Sequence, residues 1–123
     1  MSAQTILIAE DEPHIVESLR FLLEREGYRV SAAGDGEAAL RLAAATRPSL
    51  LILDVMLPRM NGFEVLRRLR ADAALRGTPV LMLTAKGQSH DRRTAQEIGA
   101  DAFITKPFSN SDVVAQVRRL ARA

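Results

Sequence analysis

The chain has 123 residues, the size of one compact domain built around a single core. With 47% hydrophobic and 26% charged residues, it reads as globular rather than disordered. A net charge of only +2, on arginines spread along the chain, argues against direct nucleic-acid binding, and the lack of cysteine excludes disulfides and thiolate metal sites.

Thr5-Ile6-Leu7-Ile8 is a short apolar run that leads into Glu10-Asp11-Glu12. A helical period follows from Pro13, with Ile15, Leu19, Leu22 and Leu23 on one face and Gly27 after the end. Arg29-Val30-Ser31-Ala32 is a weaker strand, and Asp35-Gly36 opens an alanine-rich helix that Pro48 closes. Leu50-Leu51-Ile52-Leu53 then runs straight into Asp54. After the Asn61-Gly62 turn, Leu66 and Leu69 mark a third helix. Val80-Leu81-Met82-Leu83 ends at Thr84. The helix expected over 88–98 carries a thin apolar stripe, Ala95 and Ile98, and is the least firmly docked. Ala102-Phe103-Ile104 leads to Lys106. Ser109, Asn110 and Ser111 offer caps for a last helix marked by Val113, Val117 and Leu120.

Continuous apolar strands suit a parallel sheet covered on both faces. Five alternating strands and helices, with right-handed crossovers, predict a doubly wound α/β domain over 1–123. No apolar run approaches the roughly 18 residues that span a bilayer. Met1-Ser2-Ala3-Gln4 lacks the basic start of a secretory signal, so a cytoplasmic protein without a membrane partner is expected.

Ligands of such sheets bind beyond the carboxyl ends of the strands. There the sequence places Glu10, Asp11, Asp54, Thr84 and Lys106. Alone, Asp54 also fits a simple strand-to-loop turn. Together, these residues suit phosphoryl transfer to a carboxylate. Asp11, Asp54 and Glu10 would crowd like charges that Mg²⁺ neutralises. Lys106 would supply positive charge to the transferring oxygens, and the Thr84 hydroxyl would hydrogen-bond one of them. His14 and His90 read as surface residues, and Phe63 and Phe108 as core. Arg67, Arg68 and Arg70 read as a solvated face. Arg118, Arg119 and Arg122 read as a second one, placed to offset the dipole of the last helix.

Four segments resemble the receiver domain of two-component response regulators, over essentially the whole chain. They are Ile6-Leu7-Ile8-Ala9-Glu10-Asp11-Glu12, Leu53-Asp54-Val55-Met56-Leu57-Pro58 with Asn61-Gly62, Leu83-Thr84-Ala85, and Gly99 through Lys106-Pro107-Phe108. The resemblance implies a flavodoxin-like (βα)5 fold with strand order 2-1-3-4-5. It implies that Asp54 is the phosphoacceptor and that Asp11 and Asp54 bind Mg²⁺. Glu10 would contribute through water and Met56 through its backbone carbonyl. Lys106 would pair with a phosphoryl oxygen and precede a cis peptide at Pro107. Thr84 and Phe103 would form a coupled switch that remodels the face made by the fourth helix, fifth strand and fifth helix. The implied donor is a histidine kinase or histidine phosphotransfer protein. The implied recipient is a downstream output protein or an attached output domain. The chain is then either a stand-alone, chemotaxis-type receiver or part of a longer regulator. It would be a monomer or a weak phosphorylation-dependent dimer, and it would turn over no external substrate.

Glu10 stands where the family more often has aspartate, and Phe103 where tyrosine is common. Gln116 replaces an arginine usual in receivers of the winged-helix transcription-factor group, which counts against their symmetric dimer, whereas Met56 and Pro58 look like that group. Met56 and Lys86 flank the approach of hydrolytic water without a carboxylate or amide to orient it, so slow self-dephosphorylation is expected. Other readings are a phosphorylation-independent scaffold and an aspartyl-nucleophile phosphatase. The phosphatase would want a second aspartate where Met56 stands. A nucleotide-binding domain would want a glycine-rich first turn, not Glu10-Asp11-Glu12-Pro13.

Overall fold

A computed structural model describes residues 4–85 and 89–121. Its elements alternate as the periodicities require. They are β1 (Thr5–Ala9), α1 (Pro13–Arg25), β2 (Arg29–Ala33), α2 (Gly36–Thr46), β3 (Leu50–Asp54), α3 (Gly62–Ala71), β4 (Val80–Ala85), α4 (Ser89–Ile98), β5 (Ala102–Lys106) and α5 (Asn110–Leu120). The strands form one parallel sheet in the order β2-β1-β3-β4-β5, the flavodoxin-like order expected. Among the described residues no helix is long and apolar enough to cross a membrane.

Successive strand side chains point to opposite faces, which explains why the apolar runs are continuous. Leu7, Ala9, Leu51, Leu53, Val80 and Met82 face one cluster with residues of α2, α3 and α4. Ile6, Ile8, Leu50, Ile52, Leu81 and Leu83 face the other, against α1 and α5. Fully burying each such Leu or Ile stabilises the fold by about 1.5–3 kcal/mol relative to leaving it exposed. This sandwich holds the strand ends in register.

The caps follow the sequence signals. Pro13 occupies the first turn of α1, where a missing N–H costs nothing. Gly27, at φ +94, lets the chain turn back after α1. Asp35, Asn61 and Ser109 cap α2, α3 and α5 by accepting hydrogen bonds from the N–H groups of Ala38, Glu64 and Asp112. The end of α2 comes just before Pro48, at Arg47 in the left-handed region with φ 45. Gln88, where the fourth helix was expected to begin, lies outside the described residues, as do Lys86 and Arg122. In α4 only Ala95 is fully buried, and Ile98 is half-buried against the core, so the thin stripe is real.

Arg70 departs from the solvated face expected of it. Arg67 and Arg68 do lie exposed beside Glu64, at 3.6 and 3.1 Å. The Arg70 guanidinium instead donates to the carbonyls of Gly99 (3.0 Å), Arg76 (2.9 Å) and Thr78 (2.7 Å). It also reaches the Asp101 carboxylate at 3.1 Å, which accepts from the Val80 N–H at 2.8 Å. A planar fork with several donors ties the turn after α3 to the turn after α4. Arg118 remains exposed, but it pairs with Glu26 across the gap between α5 and α1. Arg119 donates to Gln116 on its own helix. His14 and His90 are exposed, and Phe63 and Phe108 are half-buried against the two cores.

Candidate phosphoacceptor site

Parallel register brings the polar strand ends together. Ala9 pairs with Leu53, Asp54 with Leu83, Thr84 with Thr105, and Ala85 with Lys106. Glu10, Asp54 and Thr84 therefore sit one step beyond aliphatic strand residues, and all three are buried, with relative exposures of 1%, 4% and 1%. Buried carboxylates need partners. The ammonium of Lys106 supplies one by donating to Glu10 Oε1 at 2.8 Å and to Asp54 Oδ2 at 2.9 Å. The remaining oxygens accept from backbone: Asp54 Oδ1 from the Met56 N–H at 3.1 Å, and Glu10 Oε2 from the Glu12 N–H at 3.1 Å.

Glu10, Asp11 and Asp54 each offer a carboxylate oxygen within 4.8 Å of the others. Asp11 is exposed and opens the cluster to solvent. A set of hard oxygen donors, too negative for one lysine to balance, fits a hard divalent cation such as Mg²⁺. Burial raises the Glu10 pKa; Lys106 acts against this, and the neighbouring Asp54 adds to it. For Lys106 burial pulls downward, but pairing with Glu10 and Asp54 outweighs it and holds the ammonium above its ordinary value. Both shifts express the same crowding.

Thr84 Oγ1 is buried and has no hydrogen-bond partner. An orphaned buried hydroxyl is uncommon and suits a group awaiting a ligand oxygen. Phe103, half-buried on β5, pairs in register with Met82. The Met56 side chain is 74% exposed beside Asp54, whereas Lys86 lies outside the described residues. The Lys106-Pro107 peptide is cis, as the resemblance implied.

Two supporting glycines were not singled out from the sequence, beyond their places in turns. A Cβ on Gly62 would meet the Asp54 carbonyl oxygen at 2.3 Å, so α3 starts flush against the end of β3. A Cβ on Gly36 would lie 2.0 Å from the Met60 carbonyl oxygen, where the loop after β3 rests on α2. The direct Lys106–Glu10 contact was also not anticipated. The longer side chain at position 10 is what a sequence reader could have used, since glutamate reaches further than aspartate.

An open parallel α/β sheet thus carries three carboxylates, an ammonium and an unpartnered hydroxyl at its carboxyl edge, where sheets of this kind bind their ligands. The model for the response regulator receiver domain matches residues 6–118, and the chain belongs to that family. It is 46% identical over 117 residues to the alkaline phosphatase synthesis transcriptional regulatory protein PhoP of Bacillus subtilis, covering 95% of this chain and 48% of that protein. The chain spans about half the length of the curated relatives it matches. Among solved structures, a receiver domain of a signal transduction histidine kinase from Syntrophus aciditrophicus superposes with TM-score 0.90 at 39% identity, covering 97% of this chain and 90% of that one. The receiver domain of the sensor histidine kinase PA1611 from Pseudomonas aeruginosa, with a magnesium ion coordinated in its active-site cleft, gives 0.89 at 30% identity, covering 98% of each chain.

Proposed function

We propose that this receiver domain takes a phosphoryl group onto Asp54 and relays that event through Thr84 and Phe103. The observation that carries the reading is the buried Asp54 carboxylate, held 2.9 Å from Lys106 inside the three-carboxylate cluster. An Asp54 oxygen forms the new O–P bond, while the bond from phosphorus to the donor breaks and its electron pair leaves with the donor. Asp11, Asp54 and the Met56 carbonyl would hold Mg²⁺ directly, and Glu10 through water. Bound there, Mg²⁺ supplies the positive charge that the crowded oxygens lack. Lys106 moves its pairing to a phosphoryl oxygen without leaving Asp54. The Thr84 hydroxyl donates to another, gaining the partner it lacks. The space it vacates receives the Phe103 ring.

The domain promotes its own phosphorylation and turns over no external substrate. Its donor is a phosphohistidine on a histidine kinase or phosphotransfer protein. The PhoP relative is a transcriptional regulatory protein of about twice this length, so an output domain acting in transcription is the recipient we infer. Incubation with acetyl phosphate tests the reading. With Mg²⁺ the intact mass should rise by one phosphoryl group, and chelation of Mg²⁺ should abolish the gain. An unchanged mass with Mg²⁺ present contradicts it.

A further inference from the structure

Arg92 lies exposed on α4, and it forms no ion pair among the described residues. Its guanidinium carbon stands 5.6 Å from the centroid of the Phe103 ring, within cation–π range. This contact matters because α4 is held unevenly. At its C-terminal end, Arg70 grips the Gly99 carbonyl, and the N–H groups of Gly99 and Ala100 both donate to the Ala95 carbonyl. Ala95 is the only fully buried side chain among the described residues of α4. Toward the N-terminal end, the stacking of Arg92 on Phe103 spans from the helix to β5.

We infer that Arg92 is a positioning residue for the switch: its stacking holds the Phe103 ring at α4 in the unphosphorylated protein. This rests on the Thr84–Phe103 reading above. When the ring moves toward Thr84, Arg92 loses its aromatic face and the first turns of α4 lose one attachment, while the Arg70 end stays pinned. The helix then pivots about its C-terminal end. By linkage, a contact that favours the resting ring weakens binding of the phosphoryl group by the same factor.

Beryllofluoride, a phosphoryl mimic, can be titrated with Mg²⁺ against the unmodified chain, Arg92→Met, Arg92→Lys, Phe103→Leu and Arg92→Met/Phe103→Leu. Met and Lys both keep a good helix former at an exposed position, so folding is preserved. Arg92→Met should bind the mimic roughly two- to fivefold more tightly, the size of one exposed cation–π contact. Arg92→Lys should stay nearer the unmodified chain. In the Phe103→Leu background the Arg92→Met gain should vanish, which a merely structural role would not produce. An unchanged affinity in Arg92→Met, or an equal gain with and without the ring, overturns the inference. An unmodified chain that binds no mimic sinks the phosphoacceptor reading itself.

Discussion

The Lys106 ammonium lies 2.9 Å from Asp54 Oδ2, so a positive charge is already docked on the carboxylate we propose as the phosphoryl acceptor. The same ammonium reaches Glu10 at 2.8 Å. Lys106 thus neutralises two buried carboxylates, a structural role beside the one proposed for it in phosphoryl binding.

Lys106→Ala should therefore destabilise the metal-free fold by about 2 kcal/mol at neutral pH, because it strands two buried acids. Mg²⁺ should restore much of this by taking over the neutralisation. Thermal melts with chelator and with Mg²⁺ check it: the Mg²⁺-induced rise should be larger in the variant. Equal rises would contradict the shared role.

Stability should respond to Glu10 protonation in a defined direction. Burial, reinforced by Asp54, raises the Glu10 carboxyl above its ordinary value of 4.5. A raised folded value stabilises the fold below the unfolded pKa, and that contribution is lost as pH rises through the folded value. In chelator, the unmodified chain should therefore lose stability relative to Glu10→Gln between pH 4 and pH 7. Urea midpoints at the two pH values measure the difference. Lys106 obeys the same sign higher up: its contribution is present below 10.5 and lost as pH rises above it.

Arg70 and Arg67 should separate cleanly. Arg70→Ala removes donors from three carbonyls and a carboxylate, and should cost about 1–3 kcal/mol in urea unfolding. Arg67→Ala should stay within about 0.5 kcal/mol, as expected of an exposed pair.

Met56 points to a long-lived phosphoryl group. Its exposed side chain carries neither a carboxylate nor an amide to orient attacking water. Phosphate release after donor removal should be slow with Mg²⁺ present, and a half-life of only seconds would contradict this.

The sheet was legible in the sequence because its strands are continuous aliphatic runs, each ending in a polar residue. Asp54 stands out after Leu50-Leu51-Ile52-Leu53 for that reason. Helix starts were legible where Pro13, Asp35, Asn61 and Ser109 act locally on the backbone. Arg70 was not, because its partners lie 6 to 31 residues away and meet it only after β4 and β5 are in place. Arg67 and Arg70 look alike in sequence, and the helix turns them to different surroundings. Likewise, 96 residues separate Glu10 from Lys106, and only parallel pairing through β1, β3, β4 and β5 brings them together. Gly62 announced a turn, but the close approach of α3 to the Asp54 carbonyl depends on tertiary packing.

The central claim is that Asp54 receives the phosphoryl group, and chemical trapping tests it most directly. After acetyl phosphate and Mg²⁺, borohydride reduction converts an aspartyl phosphate to homoserine, which peptide mass spectrometry places in the sequence. Homoserine should appear at position 54, and Asp54→Asn should yield none. Trapping at another aspartate in the unmodified chain, or persistent phosphorylation of Asp54→Asn, would contradict the account.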